Sequence, residues 1–69
     1  MKPEELETRF TYHAPKGDQP QKYELIRASA RQLAELVEQL CPEGREKALA
    51  MTNIEQASMW ANAAIARRE

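Results

Sequence analysis

The sequence has few of the groups that catalysis or metal binding requires. It contains one cysteine (Cys41), one histidine (His13) and two isolated glycines (Gly17 and Gly44). One cysteine forms no intrachain disulfide, and one histidine with one cysteine is too few for a metal site in a single chain. Neither has a second titratable partner spaced as a nucleophile and base, and isolated glycines do not form a phosphate-binding loop. We therefore expect a protein that is not an enzyme, with no metal and no cofactor.

The sequence also lacks long apolar runs and an excess of basic residues. No stretch of about 18 apolar residues is present, and the acidic start MKPEELETRF does not resemble a secretory signal. The low cysteine content is compatible with a reducing cytoplasm. With 10 basic and 11 acidic residues the net charge is −1, whereas binding to DNA usually requires a clearly basic surface. We expect neither a membrane nor DNA as a partner.

The aromatic and basic residues are concentrated near the beginning of the chain. The segment RFTYHAPKGDQPQKYELIR, residues 9–27, holds the only phenylalanine and both tyrosines. Residues 9–31 contain five basic and two acidic residues, a local charge of +3, and residues 32–66 contain two basic and five acidic residues, a local charge of −3. Such a distribution is compatible with a local anion site, although ordinary solvated charges explain it as well.

The first part of the chain predicts a short helix and then an extended arm. In KPEEL, Pro3 suits a first helical turn, and the acidic residues that follow favour the positive end of the helix dipole. We expect an arm over residues 8–19, because Pro15, Gly17 and Pro20 interrupt regular structure there.

Two long helices are expected after the arm. The first covers about residues 20–40, with Asp18 as its cap, and the second covers about residues 45–67. The four-residue link CPEG implies that they are antiparallel. The chain is therefore predicted to be one all-α domain, residues 1–69, in which the arm precedes a two-helix hairpin.

Apolar residues are more numerous than two helices can bury against each other. The first helix carries a seam with steps of three and four residues, at Tyr23, Ile26, Ala30, Leu33, Val37 and Leu40. The second carries a stripe at Met51, Ile54, Ser58, Ala61 and Ile65, but residues 57–66 are apolar except for Ser58 and Asn62. This surplus predicts a homo-oligomer, with Leu49, Met59 and Trp60 as candidate interface residues. The alternative is that the arm alone covers the surplus apolar face.

Candidate ligand-binding residues lie in the arm and at the start of the first long helix. In an extended arm Phe10 and Tyr12 share one side, and Thr11 and His13 share the other. Aromatic rings stack on nucleobases and cations pair with phosphates, so these residues, with Lys22, Arg27 and Arg31, could bind a small phosphorylated, base-containing ligand. Some residues of this region also have a structural interpretation: Phe10 as a plug against the hairpin, Tyr23 in the core, and Arg27 paired with Glu24 or with charges near Glu35. For Tyr12 a structural role and a ligand role are equally open.

Two long segments, RFTYHAPKGDQPQKYELIR and REKALAMTNIEQASMWANAAIARRE, resemble the phage-encoded anti-CBASS proteins that act as cyclic-nucleotide sponges. The resemblance covers about residues 8–69. It implies a helical hairpin that assembles into a hexamer, a trimer of dimers, in the cytoplasm of the infected bacterial host. It also implies no catalysis. Such proteins sequester cyclic dinucleotides, such as 3′,3′-cGAMP, and cyclic trinucleotides.

The resemblance also implies roles for particular residues. Tyr12 matches the arm aromatic that stacks on the bases. Arg27 stands where the family has a lysine that contacts the phosphates, and the two cations are not equivalent at a phosphate. A separate trinucleotide pocket is expected to use Arg67, with Arg68 as the second choice. The alternative function belongs to another class: a helical oligomeric adaptor that binds a protein partner through its N-terminal arm.

Overall fold

The structure is a computed structural model that describes residues 1–69 and contains three helices and no strand. Helix α1 spans Pro3–Phe10, α2 spans Gln19–Leu40 and α3 spans Arg45–Arg68. The all-α prediction is confirmed. The two long helices differ from the expected ranges by one residue each, at the start of α2 and at the end of α3.

Helix α1 is longer than the sequence predicts. It ends at Phe10, so the first three residues of the arm expected over 8–19 are helical, and the extended backbone begins at Thr11, with φ −109° and ψ 141°. The side chains favour the extra turn, because Arg9 Nε donates to Glu5 Oε1 at 3.2 Å, one turn earlier. Phe10 is therefore not in the extended segment that contains Tyr12.

The turn before α2 differs in detail from the expected cap. Asp18 does occupy the N-cap position, but its side chain makes no capping hydrogen bond and lies 3.7 Å from Lys22 Nζ. Gln19 Oε1 accepts a hydrogen bond from the backbone N–H of Lys16 at 3.1 Å instead. The turn depends on Gly17, whose φ of +58° is unfavourable for residues with a Cβ.

Helices α2 and α3 pack side by side in opposite directions. At one end Gln19 Nε2, in the first turn of α2, donates to the carbonyl oxygen of Ile65 near the end of α3 at 3.4 Å. At the other end Lys47 Nζ, in the first turn of α3, donates to the carbonyl oxygen of Glu38 at 3.0 Å. These two contacts connect both ends of the helix pair.

The chain has no closed apolar interior. Its smallest dimension is 13 Å, close to the diameter of a single helix with its side chains, about 10–12 Å. The radius of gyration is 15.2 Å, whereas a compact chain of this length has about 11 Å. No apolar side chain is fully buried. A single layer of helices cannot cover both of its faces, so the apolar surface remains exposed.

The contact between α2 and α3 follows the predicted stripes only in part. All five predicted stripe residues of α3 are half-buried, as is Tyr23 of α2. Ile26, Ala30 and Val37 of the predicted α2 seam are half-buried as well. Leu33 and Leu40 of the seam, however, remain 51% and 75% exposed, and Ala34, which lies outside the seam, is half-buried.

Candidate functional site

An open groove of about 560 Å³ lies between α2 and α3. Its volume falls within the range of about 300–1,000 Å³ that is typical of ligand sites. The polar residues of its lining are Arg27 and Arg31 from α2 and Glu55, Ser58 and Asn62 from α3. Alanines, Ile54 and two methionines complete it. This groove, called the cationic groove below, combines two guanidinium groups with apolar walls.

Arg27 and Arg31 lie one helical turn apart on the same face of α2, as the spacing predicts. Arg27 Nη1 lies 3.6 Å from Glu24 Oε2, which confirms the predicted pairing with Glu24, and Arg31 Nε donates to Glu35 Oε1 at 3.0 Å. All four side chains are exposed. Because exposed ion pairs are weak, a bound phosphate could replace these carboxylates at little cost.

Asn62 also lines the groove, although the sequence did not identify it as a candidate. Its Oδ1 is sealed from solvent and has no hydrogen-bond partner, although the residue as a whole is only half-buried. A buried acceptor without a partner costs about 1–3 kcal/mol. Its position in the sequence is unusual, because only Asn62 and Ser58 interrupt the apolar segment 57–66.

The other side of the helix pair has a second groove of about 470 Å³. It is called the apolar groove below, because none of its nine lining residues is charged: Ile26, Ser29, Ala30, Leu33, Asn53, Ile54, Ala57, Ser58 and Ala61. The two sides of the pair therefore differ in charge.

The arm presents its aromatic residues to solvent. Phe10 and Tyr12 are 79% and 83% exposed, so Phe10 is not a plug against the helix pair within the chain, and that prediction is wrong. The helical turn that ends at Phe10 directs it away from α2 and α3. His13 is half-buried, and its Nε2 donates to the carbonyl oxygen of Thr8 at 2.8 Å. Thr11 is exposed.

None of the arm residues lines the cationic groove. Within one chain, the structure brings Arg27 and Arg31 together but does not bring Tyr12, Phe10 or His13 to the same pocket. Any site that combines the arm with this groove requires a movement of the arm or a second copy of the chain.

Ion pairs connect α1, the start of α2 and the end of α3, a region called the open end below. Lys22 Nζ donates to Glu69 Oε2 at 2.8 Å, and this hydrogen bond raises the pKa of Lys22 above its ordinary value. Arg68 Nη2 donates to Glu5 Oε1 at 3.1 Å, and this bond, with a smaller contribution from Arg9, lowers the pKa of Glu5. Two predicted ligand contacts, Lys22 and Arg68, are thus occupied by carboxylates.

Arg67 differs from its neighbour Arg68. It is half-buried and forms no ion pair, whereas Arg68 pairs with Glu5. Of the two arginines expected to serve a trinucleotide pocket, Arg67 is the one whose guanidinium is not already paired.

The opposite end of the helix pair, called the closed end below, is held by one buried cation. Lys47 is 7% exposed. Its Nζ donates to Glu43 Oε1 at 2.8 Å, in addition to the carbonyl oxygen of Glu38, and lies 3.3 Å from Glu38 Oε2. The hydrogen bond to Glu43 is the main reason that the pKa of Lys47 is raised. These contacts fix the link between α2 and α3.

The structure contains no group of three or more His, Cys, Asp or Glu side chains that could hold a metal ion. None of its helices combines the length and the apolar character that crossing a membrane requires.

Together, these observations describe a small all-α protein with an open groove whose lining carries two arginines and one glutamate. A family model described as the Acb2/Tad1 hairpin domain matches residues 2–66. The chain therefore belongs to the Acb2/Tad1 family, the anti-CBASS cyclic-nucleotide sponges, and the resemblance stated from the sequence is confirmed. No curated protein and no solved structure matches the chain.

Proposed function

We propose that this protein binds cyclic oligonucleotide messengers and holds them chemically unchanged, and that it thereby antagonises CBASS defence. Its ligands are cyclic dinucleotides, such as 3′,3′-cGAMP, and cyclic trinucleotides. The observation that carries the proposal is the pair Arg27 and Arg31 on one wall of an open groove, in a chain whose residues 2–66 match the sponge family.

The ligand contacts follow from the chemistry of a cyclic dinucleotide, which has two phosphates and two bases. Arg27 contacts a phosphate through charge-assisted hydrogen bonds, and Arg31 adds positive charge one turn away. Tyr12, whose ring is almost fully exposed, stacks on a base. A ligand with only two charges needs few cations, which is consistent with the net charge of −1.

The site is completed by a second copy of the chain. We propose that α2 and α3 act as the hairpin of a hexamer, in which arms of one protomer close over the groove of another. Two observations support this: no arm residue lines the groove of its own chain, and large apolar side chains such as Leu33 and Trp60 remain exposed. A two-fold interface offers a two-fold ligand two identical half-sites.

Cyclic trinucleotides bind at a separate site where several protomers meet. Arg67 is the proposed contact, because its guanidinium makes no ion pair, whereas Arg68 is paired with Glu5 at 3.1 Å.

The direct test is calorimetric titration of the purified protein with 3′,3′-cGAMP, followed by heating and mass spectrometry of the released ligand. We expect binding and recovery of the intact ligand. Arg27→Ala should weaken binding about tenfold to hundredfold, because a hydrogen bond to a charged group contributes about 1.5–3 kcal/mol. Arg45→Ala, at the exposed start of α3, is the matched control and should bind like the parent protein.

Two results would overturn the proposal. Cleaved ligand would indicate a nuclease. A monomeric protein that binds no cyclic di- or trinucleotide would remove the sponge function altogether.

The adaptor is the second candidate function. It is favoured by the exposure of both Phe10 and Tyr12 on the arm, because exposed aromatic residues are frequent anchors of protein interfaces. An adaptor shows no nucleotide affinity in the same titration and retains one specific polypeptide, in a manner that depends on the arm.

A further inference from the structure

The amide of Asn62 is unusual among the polar side chains of this chain. Its Oδ1 is buried without a partner, in a groove whose other wall carries Arg27 and Arg31. By contrast, the two most buried polar residues, Gln19 and Lys47, are fully engaged in hydrogen bonds. An unpaired buried acceptor destabilises the free protein, so contacts within one chain do not explain why an asparagine occupies position 62.

A rotation of the Asn62 amide would turn its oxygen, which is sealed from solvent in the free chain, toward the groove. The Asn62 side chain makes no hydrogen bond within the chain, so this rotation breaks none. Rotation about the terminal torsion of asparagine is soft. The side chain can therefore donate through Nδ2 or accept through Oδ1.

We infer that Asn62 is a ligand-contacting residue that hydrogen-bonds a base of the cyclic dinucleotide, while the guanidinium groups opposite take the phosphates. This inference rests on the proposed function. Phosphates require cations, which Arg27 and Arg31 supply, whereas base edges carry neutral donors and acceptors that an amide matches. Met51 and Met59, which also line the groove, provide apolar contact for the faces of the base.

The inference predicts opposite effects on stability and on binding. Asn62→Leu replaces the amide by an apolar group of similar size and removes the unpaired acceptor. The thermal midpoint of the ligand-free protein should therefore rise, by about 4 °C or more for a domain of this size. The same substitution should weaken binding of 3′,3′-cGAMP and cyclic di-AMP at least tenfold, because the base loses its partner.

The experiment measures the thermal midpoint, the affinity for both ligands and the native mass of the parent protein, Asn62→Leu and Asn53→Leu. Asn53 is the matched control, because it is an asparagine of α3 that lines the apolar groove instead. The Asn53→Leu variant should bind both ligands with affinities within about twofold of those of the parent protein. A higher midpoint with weaker binding at unchanged mass supports the inference, since a purely structural asparagine would lower the midpoint when replaced.

Failure of this inference can be distinguished from failure of the proposed function. If the parent protein binds and Arg27→Ala weakens binding, but Asn62→Leu binds normally or melts at a lower temperature, only the role of Asn62 is wrong. If the parent protein binds neither ligand, the proposed function is wrong, and the role of Asn62 with it.

Discussion

The two ends of the α2–α3 pair are held together by different means. At the closed end one buried lysine, Lys47, joins the first turn of α3 to Glu38 and Glu43 across a short link. At the open end, the ion pairs Lys22–Glu69 and Arg68–Glu5 lie at the surface and connect three separate elements. Exposed pairs contribute little and exchange readily with solvent. The closed end therefore depends on one buried cation. At the open end the surface ion pairs accompany a buried contact, in which Gln19 donates to the carbonyl oxygen of Ile65.

Lys47→Met gives the strongest test of this comparison. The substitution leaves the Glu38 carbonyl oxygen without its donor and two carboxylates without their cation. We expect the largest loss of thermal stability of any single charge removal in the chain. Nucleotide affinity, measured at a temperature where the variant is folded, should not change.

The control is Lys2→Met, which removes an exposed lysine that forms no ion pair and should leave the thermal midpoint unchanged. A Lys47→Met protein that melts like the parent would mean that the closed end does not depend on this contact.

Tyr12→Ala tests the open end by ligand affinity instead of stability. Stacking of a base on an aromatic ring contributes about 1–3 kcal/mol, so binding of 3′,3′-cGAMP should weaken by a factor of about 5 to 150 in calorimetry. The thermal midpoint should stay the same, because the side chain is almost fully exposed. Tyr12→Phe retains the ring and should retain most of the affinity. Equal weakening in both variants would show that the hydroxyl group, not the ring, makes the contact.

Gln19→Leu tests the contact that the buried Gln19 makes at the open end. Gln19 accepts from the Lys16 N–H and donates to the Ile65 carbonyl oxygen. Its loss should lower the free energy of unfolding by about 1–3 kcal/mol, as measured by denaturant titration. Gln21→Leu, at an exposed position in the same turn, should have little effect. Similar losses in both variants would contradict a specific role for Gln19.

The pH dependence of stability should show the smallest effect, since the groups concerned are mostly exposed. Arg68 lowers the pKa of Glu5 and Lys22 lowers that of Glu69. These carboxylates stabilise the fold above their ordinary pKa of 4.5, and their contribution is lost as the pH falls through the lowered values. Glu43 raises the pKa of Lys47 and Glu69 raises that of Lys22. The two lysines stabilise the fold below their ordinary pKa of 10.5, and this contribution is lost as the pH rises through the raised pKa values.

Thermal midpoints measured from pH 2 to pH 12 should therefore form a plateau between about pH 5 and pH 10 and fall on both sides. Lys47→Met should reduce the fall on the alkaline side more than Lys22→Met does. The reverse order would show that the open end, and not the closed end, is the more strongly held.

Several features of the fold and of the site could be predicted from local sequence. Pro15, Gly17 and the CPEG link mark the breaks between helices, because proline and glycine act on the backbone nearby. Arg27 and Arg31 share a face because the helical period alone places them there. The pairing of Arg27 with Glu24 follows from the same period.

Other features could not be predicted, because they depend on how distant parts of the chain pack. Leu33 is exposed and its neighbour Ala34 is half-buried, and this depends on which face of α2 contacts α3. The end of α1 is a different case: the i,i+4 pair Arg9 and Glu5 is visible in the sequence and favours the extra turn.

By itself, the sequence determined three helices, two breaks, an excess of apolar surface and a pair of arginines on one helix face, because each depends on residues only a few positions apart. Only the tertiary structure decided that Lys47 is buried, that Lys22 and Arg68 are held by carboxylates, and that the oxygen of Asn62 is left unpaired. Such features arise from contacts between residues distant in sequence, and α2 and α3 must pack before any of them exists.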